Sequence, residues 1–169
     1  MSREFNRYIE KQFASLMRKF YLEPTRASGS IAWPGERCFR TRSEGTVCWI
    51  CVHPEYRGLN KFNVELAWSH RGGYPSTFTA RPTLTAAPPE CFSVLEEGFI
   101  RLGSLAHSPK FDWWEPPTLR EQLEMLTKEN VASVADPLIH DALQSIENIG
   151  LPLAEQAIGA RAAFLTNKA

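Results

Sequence analysis

Four charged residues, Arg40, Arg42, Glu65 and Arg101, occupy alternate positions of β-like stretches. Such positions project from one side of a sheet, because strand side chains alternate with period two. Gathered there, guanidinium forks and a carboxylate could hold an acidic ligand or a partner's carboxylate through paired hydrogen bonds. The same side chains could instead pair with one another as a solvated face, where each ion pair stabilises by about 0–1 kcal/mol. Trp113-Trp114 is a second group. An accessible indole anchors interfaces well, whereas a covered one would close the edge of a sheet.

The remaining chemistry-bearing residues form no familiar constellation. Cys38, Cys48, Cys51 and Cys91 include a Cys48-x-x-Cys51-x-His53 spacing that suggests zinc. However, Thr46–His53 is rich in β-branched and aromatic residues and reads as a strand, which sends Cys48 and Cys51 to opposite faces. Reduced cysteines packed as small apolar groups are therefore expected, with no metal and no cofactor. His140 and Asp141 are neighbours on a helical stretch, so they do not face each other. His53 and His70 end strands and His107 lies in a turn. Phosphate-cradling Gly loops, Gly-x-Ser-x-Gly and His-x-x-x-His are all missing, so no residue is assigned a catalytic role.

The elements that position these groups follow from periodicity. Phe5, Ile9, Phe13, Leu16, Met17 and Phe20 recur at spacings of three and four, predicting an amphipathic helix over 1–21 that ends before Pro24. Over 28–106 the period changes to two. Ser30–Trp33, Arg37–Arg42, Thr46–His53 and Lys61–His70 read as strands joined by turns too short for parallel crossovers, and Glu97–Ala106 reads as a further strand. Lys61–His70 is expected to be half-buried, with Phe62, Val64, Leu66 and Trp68 inward. A Pro- and Gly-rich stretch, 71–91, reads as a long loop with a short extended piece at Ser76–Ala80. Helices follow over 118–164. Thr118 caps one in which Leu119, Leu123 and Leu126 face the core. Asp136-Pro137 starts another that stops at Gly150, and Pro152 starts a third. The order predicts a single α+β domain over 1–169: an N-terminal helix, an antiparallel sheet of about five strands, and C-terminal helices on one face.

Composition bounds the function. The 169 residues carry 19 basic and 19 acidic side chains, and the zero balance disfavours a general nucleic-acid binder. The balance is divided: residues 1–111 hold 15 basic against 10 acidic, whereas 112–169 hold 4 against 9. No signal-peptide core or membrane-length apolar run is visible, so a cytoplasmic protein is expected.

Phe99-Ile-Arg-Leu-Gly-Ser-Leu105, Phe111-Asp-Trp-Trp114 and the closing Asn148-Ile-Gly-Leu-Pro-Leu153 carry a resemblance. The chain resembles an uncharacterised bacterial family of small α/β domains with an Arg-x-Gly-x-Leu strand and a Trp-Trp connector. The Gly and Lys often found after that family's first helix are replaced here by Tyr21-Leu-Glu-Pro24. The resemblance implies the same succession of elements and no established activity. By analogy, such domains suggest immunity proteins that neutralise bacterial toxins. The expectation is therefore a non-enzymatic protein-binding domain that occludes a protein partner, a toxin in its specific form, through its charged surface and the 71–91 loop. Two alternatives stand beside it: a small-ligand binder or enzyme using the charged sheet face, and a nucleic-acid-associated module.

Overall fold

A computed structural model describes residues 3–20, 23–25, 37–42, 45–55, 57–73, 75, 88–107 and 112–169, with 23–25, 37–42, 88 and 89 described as backbone. Helix α1 (Arg3–Leu16) runs into a short 3-10 turn and buries Phe5, Ile9, Phe13 and Met17. Strands β3 (Val47–Pro54), β4 (Phe62–Ser69) and β5 (Glu97–Arg101) form the antiparallel sheet that carries the core. Two outer segments, β1 (Glu23–Thr25) and β2 (Arg37–Arg42), continue the ladder beyond β3 as backbone. The expected strand at Ser30–Trp33 and the extended piece at Ser76–Ala80 lie outside the described residues.

Helices cover one face of this sheet. Cys48, Ile50 and Val52 of β3 and Phe62, Val64, Leu66 and Trp68 of β4 pack beneath α1, α5 (Val131–Ser145) and α6 (Leu151–Gly159). Phe62 is the junction: its ring meets Phe13 edge-on at 5.5 Å and stacks on Trp114 at 5.9 Å. Helix α2 (Pro88–Val94) supplies Phe92 edge-on to Trp68 at 4.8 Å, and α7 (Arg161–Lys168) packs against α2.

Six expectations need correction. Strand β4 is buried on both sides, not one. Its alternate residues Asn63, Glu65, Ala67 and Ser69 share their face with Trp49, Cys51 and Phe99, which form a second apolar cluster around Ala67. Rows running across strands, rather than one strand's alternation, decide whether a sheet face is wet. The expected strand to Ala106 stops at Arg101, where α3 (Leu102–Ala106) begins. Within α3, a Cβ at Gly103 would lie 2.4 Å from the Asp112 carbonyl oxygen, so only glycine lets the two backbones approach. The expected 71–91 loop gives way to α2 at Pro88.

In the C-terminal part, α5 starts at Val131 and runs through Pro137. Buried Val131, Ala135, Ile139 and Ala142 form a stripe spanning the proline, and that burial offsets the missing backbone hydrogen bond. Gly150 does not stop the chain, which passes through a π turn (Ile146–Gly150) into α6. A Cβ at Gly150 would sit 2.9 Å from Leu102 Cδ1, so this glycine serves helix-to-core approach. Helix α4 (Leu119–Leu123) has the expected Thr118 cap, which Glu121 completes as a capping box, but Leu119 and Leu123 face outward and only Leu126 enters the core. The helix ends after five residues, too short to lay an apolar stripe against the body.

Candidate functional site

Glu65 lies at the centre of a charged row on the second sheet face. The register sets Cys51, Glu65 and Arg101 side by side on β3, β4 and β5. Glu65 Oε1 accepts from Arg101 Nε at 3.3 Å, and Glu65 Oε2 lies 3.2 Å from His53 Nε2. The second arm of Arg101 is bound to Asp112. The Glu65 side chain is only 5% exposed, whereas Arg101 remains 32% exposed. Burial disfavours the charged guanidinium, yet Asp112 and Glu65 outweigh it and hold the Arg101 pKa above its ordinary value. Chemically, this arrangement is a carboxylate fixed between an imidazole and a guanidinium, with that guanidinium committed to two carboxylates.

Of the four sheet residues picked out by alternation, the structure brings Glu65 and Arg101 together. Arg40 is placed opposite Trp49 and Arg42 opposite Val47 by backbone register, in different rows from Glu65. His53 and Asp112 complete the group without having been anticipated. The position of His53, two residues beyond Cys51 on the same face, was legible from alternation. Asp112 carried no sequence signal, because it arrives from the connector after α3.

The tryptophan pair divides. Trp114 is buried, stacks on Phe62, and donates from Nε1 to Asp141 Oδ2 at 2.8 Å. His107 Nε2 meets the same Asp141 oxygen at 2.9 Å. The histidine partner of Asp141 is thus His107, not the adjacent His140. Ser104, three residues before His107 on α3, has a buried hydroxyl with no hydrogen bond, so no serine–histidine relay is built there. Trp113 is half-buried at the surface with Lys61 Nζ 4.7 Å from its ring centre, while Lys61 also pairs with Glu115 at 3.6 Å.

The most exposed apolar group of the described residues falls in α4 and just after it. Leu119 is 65%, Leu123 60% and Met125 82% exposed. This ridge is held firmly. Thr118 and Glu121 cap α4 reciprocally, and Asn60 Nδ2 donates to both Glu121 O and Glu124 O at 2.8 Å. The Asn60 amide adds a third bond, to Gln122 O at 2.7 Å.

A smaller cleft of about 250 Å³ lies between α2 and α7, lined by Val94, Leu95, Glu96, Phe164, Asn167 and Lys168. Glu96 accepts from Arg71 and, at 3.1 Å, from Lys168, which together hold its carboxyl down to about 2. Among the described residues, no group of three or more His, Cys, Asp or Glu side chains could hold a metal ion. Cys48 faces the main core and Cys51 the second cluster, as alternation requires. No described helix is long and apolar enough to cross a membrane. Compared with protein families, with curated proteins and with solved structures, the chain shows no match.

Proposed function

We propose that this chain is a non-enzymatic protein-binding domain that acts by occluding its partner, in its specific form an immunity protein for a bacterial toxin. The observation that carries the reading is the ridge of Leu119, Leu123 and Met125, exposed yet fastened by Asn60 and the Thr118–Glu121 capping box. A fold gains nothing from holding three large apolar side chains in water, whereas a binding surface gains preorganisation, since little freedom remains to be lost on docking. Glu121 and Glu124 lie between the ridge residues in sequence, so the partner it fits is apolar at its centre and predominantly basic at its rim.

The test is co-expression with the product of an adjacent open reading frame, followed by size-exclusion chromatography of the pair. A stable complex is expected, lost on Leu123→Glu with Met125→Glu while the thermal midpoint of the lone chain stays unchanged. A partnerless monomer whose deletion alters a metabolite level would overturn the proposal.

One observation favours a second reading, a small-ligand binder or enzyme on the charged sheet face. Glu65 is buried between His53 and Arg101 rather than lying on a solvent-flooded surface. Buried carboxylate–imidazole pairs of this kind are typical of acid–base sites. Under this reading, Glu65→Gln abolishes a turnover or ligand-induced thermal shift that the ridge substitutions leave intact.

A further inference from the structure

We propose that the outer row of α1 docks on the phosphate backbone of duplex nucleic acid, without reading its sequence. Between Arg3 and Phe20 six residues are exposed, and five of them are cations: Arg3, Arg7, Lys11, Arg18 and Lys19. The sixth is Ser15. Arg3, Arg7, Lys11 and Ser15 are spaced four apart, so they follow one another along the outside of the helix, each about 6 Å further along its axis. Arg18 and Lys19 extend the row onto the 3-10 turn. The cations together span roughly 25 Å.

The fold does not need this row. The inner face of α1 is occupied by the core, through Phe5, Ile9, Phe13 and Met17. On the outside, Arg7 pairs with Glu4 at 3.3 Å and Lys19 with Glu147 at 3.9 Å. Arg3, Lys11 and Arg18 take part in no ion pair among the described residues. Like charges four apart on a helix repel, as Arg3 does Arg7 and Arg7 does Lys11, and a cation in the first turn opposes the helix dipole. The row therefore costs the isolated helix stability, and an anionic partner restores it.

The kind of anion follows from the neighbours of these cations. None of the exposed residues of α1 and its 3-10 turn is apolar or aromatic. A single strand is held by stacking on aromatic rings, a bilayer by apolar side chains that enter it, and a protein interface by a buried aromatic anchor. Duplex phosphates require none of these. Cations that track a rigid line of charge suffice, and release of counterions supplies the affinity. The even overall charge is no obstacle, because salt near 0.1 M confines each charge's reach to about 10 Å. The row stands on a different element from Leu119, Leu123 and Met125, so the two surfaces are tested apart.

The experiment titrates the full chain into a short labelled DNA duplex and follows fluorescence anisotropy between about 50 and 200 mM salt. The expected affinity falls about 40-fold over that range, as for about three neutralised phosphates, and is alike for duplexes of unrelated sequence. Combining Arg3→Gln, Lys11→Gln and Arg18→Gln should weaken binding at the lower salt by about tenfold or more, with the helical circular dichroism unchanged. Arg120→Gln with Lys128→Gln, which removes exposed cations of another segment, should bind as the native chain does. Absence of binding at the lower salt, an affinity indifferent to salt, or native affinity in the triple variant would each overturn the proposal. So would tighter binding to phosphatidylserine vesicles or to polyglutamate than to the duplex.

Discussion

Replacing Arg101 by Met tests whether the charged row is a cooperating unit. Methionine keeps an unbranched apolar stem and deletes the guanidinium that joins Glu65 to Asp112. Removing one member of a fully buried ion pair costs about 3–5 kcal/mol, because the other is left charged in a poor solvent. Glu65 meets that condition, with its side chain 5% exposed, but Arg101 is 32% exposed, so water already screens part of the interaction. Asp112 is 17% exposed and recovers some hydration once released. The discounted cost is roughly 2 kcal/mol. The companion changes are Glu65→Leu and the double substitution, which removes both partners of the Glu65–Arg101 pair. In a shared network, the double variant should be more stable than the sum of the singles implies, by roughly 1–2 kcal/mol. Urea unfolding at neutral pH measures all four proteins, and a constant slope confirms that the unfolded reference is unchanged. If Arg101→Met costs less than about 0.5 kcal/mol, or the two changes simply add, the row is no unit and its burial has another cause.

Acid should weaken the Glu96 junction in a defined window. Arg71 and then Lys168 hold its carboxyl near 2 instead of 4.5, so its contribution is complete above 4.5 and fades as pH falls toward 2. The difference in thermal midpoint between wild type and Glu96→Gln should close over that range; a constant difference down to pH 2 refutes the pairing. Cys48, with its thiol raised to about 12 by burial, should resist alkylation by iodoacetamide at pH 8 in the native chain and react once the chain is unfolded. Rapid native labelling, located at Cys48 by peptide mapping, would contradict its placement. Asn60→Ala strips a donor from the carbonyls of Glu121 and Glu124 and should cost about 1–3 kcal/mol. It should also speed exchange of the Gln122 amide, which is bonded to Thr118 O within the capped turn. Unaltered exchange there would mean that α4 is held by something else.

Elements were legible where one residue's period coincides with the core's geometry. Helix α1 and the inward row Phe62, Val64, Leu66 and Trp68 lie where their spacing sends them. Legibility fails where burial depends on partners far along the chain. Glu65 looks like a solvated strand residue until Trp49, Cys51 and Phe99 close its face. Leu119 and Leu123 have ideal core spacing, but their helix is capped and pinned outward by Asn60, more than fifty residues earlier. The Arg101–Asp112 pair shares this character. It exists because Gly103 lets the connector return against α3, and a glycine in a strand-like run does not announce the backbone it will meet.

The divided charge finds a partial physical account in the same contacts. Among the described residues, three ion pairs join a basic side chain of the first part to an acid of the second: Arg101 with Asp112, Lys61 with Glu115 and Lys19 with Glu147, whereas Glu96 with Lys168 runs in the opposite sense. Asp136 and Asp141 are also engaged, by Tyr8 and by Trp114 with His107. The imbalance is therefore drawn down along an internal seam, where each exposed pair stabilises little but sets which surfaces meet. The acids outside this seam include Glu121, Glu124 and Glu129, which fall in and just after the segment that exposes Leu119, Leu123 and Met125. The acids left outside the seam thus fall, in sequence, around the exposed Leu119, Leu123 and Met125, and under the proposed binding function their field would steer a basic partner toward that segment.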